Sequence, residues 1–150
     1  MKHSFNFSFL LVFALLVSIK IYSYDFEVNG LYYGYNTDSQ TAYVTNGDQK
    51  YSGSVIIPAS VTFNGRTLNV TSIGQMAFYK CQGVESVSIP ISVTRIESSA
   101  FEGCGLKSVN ILKGVTTIGN FAFEYCSGLT SVTIPNSVTS ISYDAFSGCI

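Results

Sequence analysis

The apolar positions of this chain recur at a fixed interval. Val70, Val93, Val115 and Val138 form one column, and Ile73, Ile96, Ile118 and Ile141 form a second. Ala77, Ala100, Ala122 and Ala145, then Phe78, Phe101, Phe123 and Phe146, then Cys81, Cys104, Cys126 and Cys149 make three more. All five columns are spaced by 23, 22 and 23 residues. Five coincident columns are not a chance event, so the chain carries an internal repeat, the signature of a stacked architecture. A single deletion lies between Cys104 and Leu106, where the next unit reads Cys126-Ser127-Gly128-Leu129.

Within each unit the pattern predicts two short strands and a tight turn. The first stretch reads Val84-x-x-Val87-x-Ile89, then Leu106-x-x-Val109-x-Ile111, then Leu129-x-x-Val132-x-Ile134. This is the L-x-x-L-x-L core of a leucine-rich repeat, with L positions in the core and x positions facing water. Pro90 and Pro135 stop the strand because proline has no ladder donor, whereas the third unit has Leu112-Lys113 there. The second stretch, Val93-Thr94-Arg95-Ile96 and its equivalents, is rich in β-branched residues and suits a half-buried strand. Ser99-Ala100-Phe101-Glu102-Gly103-Cys104 closes the unit, and its small residues predict a single helical turn followed by a bend. One unit buries too little to offset the entropy of ordering its backbone, so neighbours must stack on its flat faces. The expected fold is mainly β: a leucine-rich-repeat solenoid of short strands and tight turns over residues 70–150, with the last repeat incomplete.

Residues 24–69 follow another pattern. Asn29-Gly30, Asn46-Gly47 and Asn64-Gly65 each favour the positive-φ turn that joins hairpin strands. Strand-like stretches flank them at Phe26 to Val28, Leu31 to Tyr35, Ala42 to Thr45, Ser54 to Ile57 and Val61 to Phe63. The segment is expected to be an N-terminal antiparallel β cap, with Ile56-Ile57-Pro58 as the strand end of a degenerate first repeat. Six tyrosines lie within residues 24–51, either as ordinary strand packing or as an aromatic binding patch.

The start of the chain changes the charge balance. Lys2 and His3 precede an apolar run from Phe7 to Ile19, which is too short for a bilayer span of about 20 residues. With the small Ser23, this makes a signal-peptide pattern over residues 1–23; a retained membrane anchor is the alternative. Without the leader, six Lys/Arg face nine Asp/Glu, a formal charge of −3, and no histidine remains. Ser-His-Asp and Cys-His catalysis and histidine-containing zinc sites are then excluded. The missing Lys/Arg block excludes nucleic acid and anionic membranes as partners. The carboxylates Glu85, Glu97, Glu102, Glu124 and Asp144 are scattered over different columns, except for Glu102 and its equivalent Glu124, and nothing signals the cleft of a glycosidase pair. No enzymatic activity, cofactor or metal is expected.

Three columns remain as candidates. The four cysteines, aligned in one column, read as a stacked ladder of buried free thiols, with a disulfide as the alternative. Thr71, Thr94, Thr116 and Thr139 read as strand formers rather than as an ice-binding array. The outward x positions are Glu85, Ser86, Ser88, Lys107, Ser108, Asn110, Thr130, Ser131 and Thr133. A solenoid aligns them into one face, and repeat proteins bind through such faces; a merely solvated face is the alternative.

The run Gly128-Leu129-Thr130-Ser131-Val132-Thr133-Ile134-Pro135-Asn136-Ser137-Val138-Thr139-Ser140-Ile141, with Asp144-Ala145-Phe146-Ser147-Gly148-Cys149 after it, closely resembles the BspA-like leucine-rich repeat. The resemblance covers residues 70–150, and Tyr51 to Pro58 looks like the region that precedes such repeats. It implies a secreted or surface-exposed protein of a bacterium or mucosal protist, similar to adhesins that bind host extracellular-matrix proteins or other cells. It implies no catalysis. Asn110-Ile111-Leu112-Lys113 departs from the family's usual Thr/Ser-x-Ile-Pro. The function expected is a secreted or cell-surface protein-binding module. The alternatives are an assembly unit without a ligand and a carbohydrate-binding module using the cap tyrosines. The stop at Gly148-Cys149-Ile150, just before the next strand, is expected to mark either a truncated gene product or an exposed apolar end that pairs with another copy.

Overall fold

A computed structural model of the chain describes residues 24–149. The expected leader over residues 1–23 lies outside them. The strands are β1 (Phe26–Val28), β2 (Leu31–Asn36), β3 (Thr41–Thr45), β4 (Gly53–Ile56), β5 (Ser60–Phe63) and β6 (Arg66–Ile73). They continue with β7 (Val84–Ser88), β8 (Arg95–Ile96), β9 (Ser108–Asn110), β10 (Thr117–Ile118) and β11 (Ser140–Ile141). An eight-stranded sheet has the order β1-β2-β3-β6-β8-β10-β11, with β5 also paired to β6. A second, parallel sheet has the order β4-β7-β9.

The cap is built as its turn residues dictate, with one exception. Asn29-Gly30 joins β1 to β2 with φ of 52° and 78°, and Asn64-Gly65 joins β5 to β6 with φ of 49° and 73°. Two positive φ values are what a two-residue hairpin turn requires. Asn46-Gly47 makes no such turn. It leads out of β3, and Gly47 lies against the Tyr32 ring where a Cβ would collide. The β2–β3 turn instead uses Asn36, whose Oδ1 accepts from the N–H groups of Asp38 and Ser39 at 3.1 and 3.2 Å. The cap is also not purely antiparallel. β3 pairs in parallel with β6, so the sheet runs from the cap into the solenoid without a break.

The expected helical turn is absent, and its backbone does something else. In residues 74–81 the N–H groups of Ala77, Tyr79 and Cys81 donate within the turn to the carbonyls of Gly74, Met76 and Phe78. The alternate donors, Met76, Phe78 and Lys80, reach the carbonyls of Ser98, Ala100 and Glu102 in the next coil at 3.2, 2.7 and 2.8 Å. The same three bonds recur from Ser99, Phe101 and Gly103 to Asn120, Ala122 and Glu124, and from Phe121, Phe123 and Tyr125 to Tyr143, Ala145 and Ser147. A helix would direct these donors into its own turn and leave the neighbouring coil unbonded. The cost is left-handed backbone in two columns. Met76, Ser99, Phe121 and Asp144 all have φ between 50° and 58°, and Lys80, Gly103, Tyr125 and Gly148 lie between 54° and 70°.

Each coil therefore has three sides: a strand of the smaller sheet, a short strand of the larger sheet, and the turn segment. Apolar columns from all three meet inside. Phe78, Phe101, Phe123 and Phe146 stack with ring centroids 4.9, 5.1 and 5.1 Å apart. Tyr51 extends this stack into the cap, 4.6 Å from Phe78. Its hydroxyl accepts from Tyr32 N–H and donates to the Thr45 carbonyl. The first stretch of the last unit was expected as a strand and is reduced to a single bridge, Asn110 to Thr133. That coil is also less covered: Val132, Ile134, Val138 and Phe146 are only partly buried.

The third coil, with the deletion and no proline, keeps the common path through two glycines. Leu112 accepts from Val115 N–H at 3.1 Å, as Pro90 does from Val93 and Pro135 from Val138. A Cβ at Gly105 would collide with the Gln82 carbonyl oxygen, and one at Gly114 with the Ile91 carbonyl oxygen. Backbone cannot yield as a flexible side chain does. We expect Gly105→Ala and Gly114→Ala each to cost about 3 kcal/mol in urea unfolding. Gly30→Ala, with φ of 78° but nothing within 4 Å, should cost only about 1 kcal/mol.

Candidate binding face and the cysteine column

The smaller sheet brings the nine predicted residues together as three columns. Glu85, Lys107 and Thr130 form the first, Ser86, Ser108 and Ser131 the second, and Ser88, Asn110 and Thr133 the third. The pairings of Ser86 with Ser108 and of Ser88 with Asn110, and the bridge from Asn110 to Thr133, fix the alignment. Val84, Val87, Leu106 and Val109 are buried behind them; two outward residues separate each inward pair, and the register shift between β4 and β7, where Gly53 pairs with Val84 and Ser54 with Ser86, marks the irregularity that allows it. Eight of the nine are exposed; Ser86 is half-buried because its hydroxyl donates to Ser54 Oγ at 3.0 Å.

That bond shows two residues absent from the expected set. β4 pairs with β7, so Ser54 continues the serine column and Ile56 continues the Ser88 column. The signal was present: Ser54-Val55-Ile56-Ile57-Pro58 aligns with Ser86-Val87-Ser88-Ile89-Pro90. Lys107 Nζ lies 3.0 Å from Glu85 Oε1, with both side chains more than half exposed. An exposed pair contributes about 0–1 kcal/mol, so its main effect is to neutralise the face. Beside Asn110 and Thr133 opens a groove of ≈ 750 Å³, where Leu112, Ile134 and Pro135 add an apolar wall.

The cysteine column is a structural ladder. All four thiols are free. Cys104 Sγ donates to the Cys81 carbonyl at 3.3 Å, Cys126 Sγ to Phe101 at 3.0 Å, and Cys149 Sγ to Phe123 at 3.1 Å. Burial pushes the thiols of Cys104 and Cys126 up to about 12, which removes them as nucleophiles at neutral pH. The threonine column is likewise used internally. Thr94, Thr116 and Thr139 donate their hydroxyls to the carbonyls of Thr71, Thr94 and Thr116, one coil back. Of the six cap tyrosines, Tyr32, Tyr33 and Tyr51 are buried and Tyr24, Tyr35 and Tyr43 are half-buried; Tyr24, Tyr32 and Tyr51 pack in series. Among the described residues, no three His, Cys, Asp or Glu side chains group to hold a metal, and no helix is long and apolar enough to cross a membrane.

The BspA type leucine-rich repeat family matches residues 55–150, in six copies. The chain belongs to this family. The match to the BspA-type repeat begins at Val55, inside β4, where the parallel sheet begins. A leucine-rich repeat protein from Bacteroides ovatus is 33% identical and superposes with a TM-score of 0.78. The comparison covers 84% of this chain but 33% of that one, so this BspA-type chain spans about a third of that protein's length. A leucine-rich repeat protein from Bacteroides capillosus is 34% identical, with a TM-score of 0.70 over 78% of this chain and 86% of that one. The T. pallidum leucine-rich repeat protein shares the fold, at 23% identity and a TM-score of 0.60 over 83% of this chain and 67% of its own. No curated protein matches the sequence.

The buried thiols give the fold a pH dependence. An ordinary thiol titrates at 9.0, so in alkali the unfolded chain loses these protons before the folded one does. The stability they contribute is complete below pH 9 and is lost as pH rises towards 12. We expect the urea midpoint to fall across that window, and to fall less steeply in a Cys104→Ala, Cys126→Ala double variant.

Proposed function

We propose that this chain is a secreted or cell-surface protein-binding module that engages an extracellular protein, such as host matrix or another cell's surface, through the smaller sheet. The observation that supports this is the alignment of seven short polar side chains and the Glu85–Lys107 pair beside the groove at Leu112, Ile134 and Pro135. Serine, threonine and asparagine offer adaptable hydrogen bonds at little entropic cost, and the neutralised Glu85–Lys107 pair imposes no strong field. Such a face suits many modest contacts, strengthened when several are engaged at once. It holds no aromatic ring, so stacking on sugars has little support there. Buried cap tyrosines lend the carbohydrate alternative little more. The division into a leader (1–23), a cap with a degenerate first repeat (24–69) and repeats (70–150) belongs to the same proposal.

The second reading is assembly without a ligand of its own. Binding to a panel of immobilised matrix proteins, read by surface plasmon resonance, separates the two. A Lys107→Glu, Asn110→Arg variant should weaken binding at least about tenfold, while Tyr125→Ser, on the turn side, leaves it unchanged. Equal effects from both variants would contradict the assignment. Concentration-dependent assembly without any matrix protein bound would favour the second reading.

A further inference from the structure

We infer that the free edge of β4 takes an extended polypeptide segment of the protein partner, which adds a fourth strand to the smaller sheet. The inference deepens the protein-binding proposal and rests on it for the class of partner. β4 is the terminal strand of its sheet. Its bonds to β7 come from one parity of residue: Gly53 N–H reaches the Gly83 carbonyl at 2.7 Å, and Ile57 N–H reaches Ser88 at 3.1 Å. Alternate residues of a strand turn their main chain opposite ways, so Ser54 and Ile56 present N–H and C=O groups to the other side. No described strand pairs with them there.

Natural sheets protect such edges with charge, proline or covering elements. Between Gly53 and Ile57 this edge has no charged residue or proline, and no element among the described residues covers it; Ile56 is 76% exposed. Alongside it lies a cleft of ≈ 440 Å³ between β4 and the β1–β2 hairpin, lined by Val28, Leu31, Lys50, Ser54, Ile56 and Pro58 among others. The unpaired groups call for a ligand with its own main-chain donors and acceptors, which is a strand. The side chains narrow it further. Ile56 offers contact to a β-branched apolar residue, and among the described residues Lys50 is the only charged one lining the cleft, so a carboxylate near it completes the match. The Lys50 ammonium donates to the Tyr79 carbonyl at 2.6 Å and lies 5.8 Å from the centre of the Tyr79 ring.

The test uses a synthetic peptide, acetyl-Thr-Val-Thr-Val-Glu-Val-Thr-amide, titrated into the 15N-labelled protein to millimolar concentration. We expect saturable amide shifts at Ser54, Ile56 and Lys50. Two analogues, one N-methylated at its valines and one at its other residues, should differ: one binds at least about tenfold more weakly and the other binds as before, because only one parity of the strand faces β4. Ile56→Pro removes an N–H that the β4–β7 ladder does not use, so it should abolish the shifts while β9 amides keep their positions. Lys107→Glu should leave peptide binding intact, which separates failure of the edge from failure of the outer face. Equal binding by both analogues, shifts at Ser108 and Asn110 instead, or no shift at all would overturn the inference. So would concentration-dependent protection of Ser54 and Ile56 without peptide, which would give the edge to a second copy.

Discussion

Hydrogen bonds between successive coils, held in register on three sides, are what the rest of this structure depends on. No coil satisfies its own backbone. The turn segments donate forward to the next coil, as from Phe101 to Ala122, while the larger sheet donates backward, as from Thr116 to Thr94. Two residues per turn adopt left-handed backbone to keep the forward bonds, even where the side chain is phenylalanine or methionine. Strain of about 1 kcal/mol per residue persists there because three bonds and a stacked ring depend on each turn. The repeat length follows from the same constraint, since only residues one coil apart can meet.

Register also makes the candidate face. A column of serines exists on the surface because a column of valines exists one residue further along, pointing the other way. The cysteine thiols and threonine hydroxyls, which in another setting would be sites, are consumed by carbonyls of the neighbouring coil. What is left for a partner is the outer side of the smaller sheet and the strand edge where that sheet begins.

Much of this was legible in the chain. The five columns predict the stack, and the L-x-x-L-x-L stretches predict which side chains point outward, because every coil repeats the same core positions. Asn29-Gly30 and Asn64-Gly65 are hairpin turns because both residues must reach positive φ. Asn46-Gly47 has the same letters, but the glycine answers to the Tyr32 ring, a contact that no local pattern records. The turn segments read as helical because Ala and small residues favour a helix. Their true partners lie one coil away, and the only trace was Gly103 and Gly148 alternating with Lys80 and Tyr125 in one column. Ser54 and Ile56 fell outside the expected face although Ser54 to Pro58 aligns with Ser86 to Pro90, because the first repeat keeps its strand but loses the flanking columns.

The most direct test is Phe101→Ala, read by urea unfolding together with native-state hydrogen exchange. Phe101 is fully buried, with rings 4.9 and 5.1 Å away on either side. If the stack is a single cooperative unit, the variant loses about 3–5 kcal/mol. Protection should then fall together at the amides of Phe78, Phe101 and Phe123. A loss below about 1 kcal/mol, or exchange quickened only in the turn of Phe101 itself, would contradict the account.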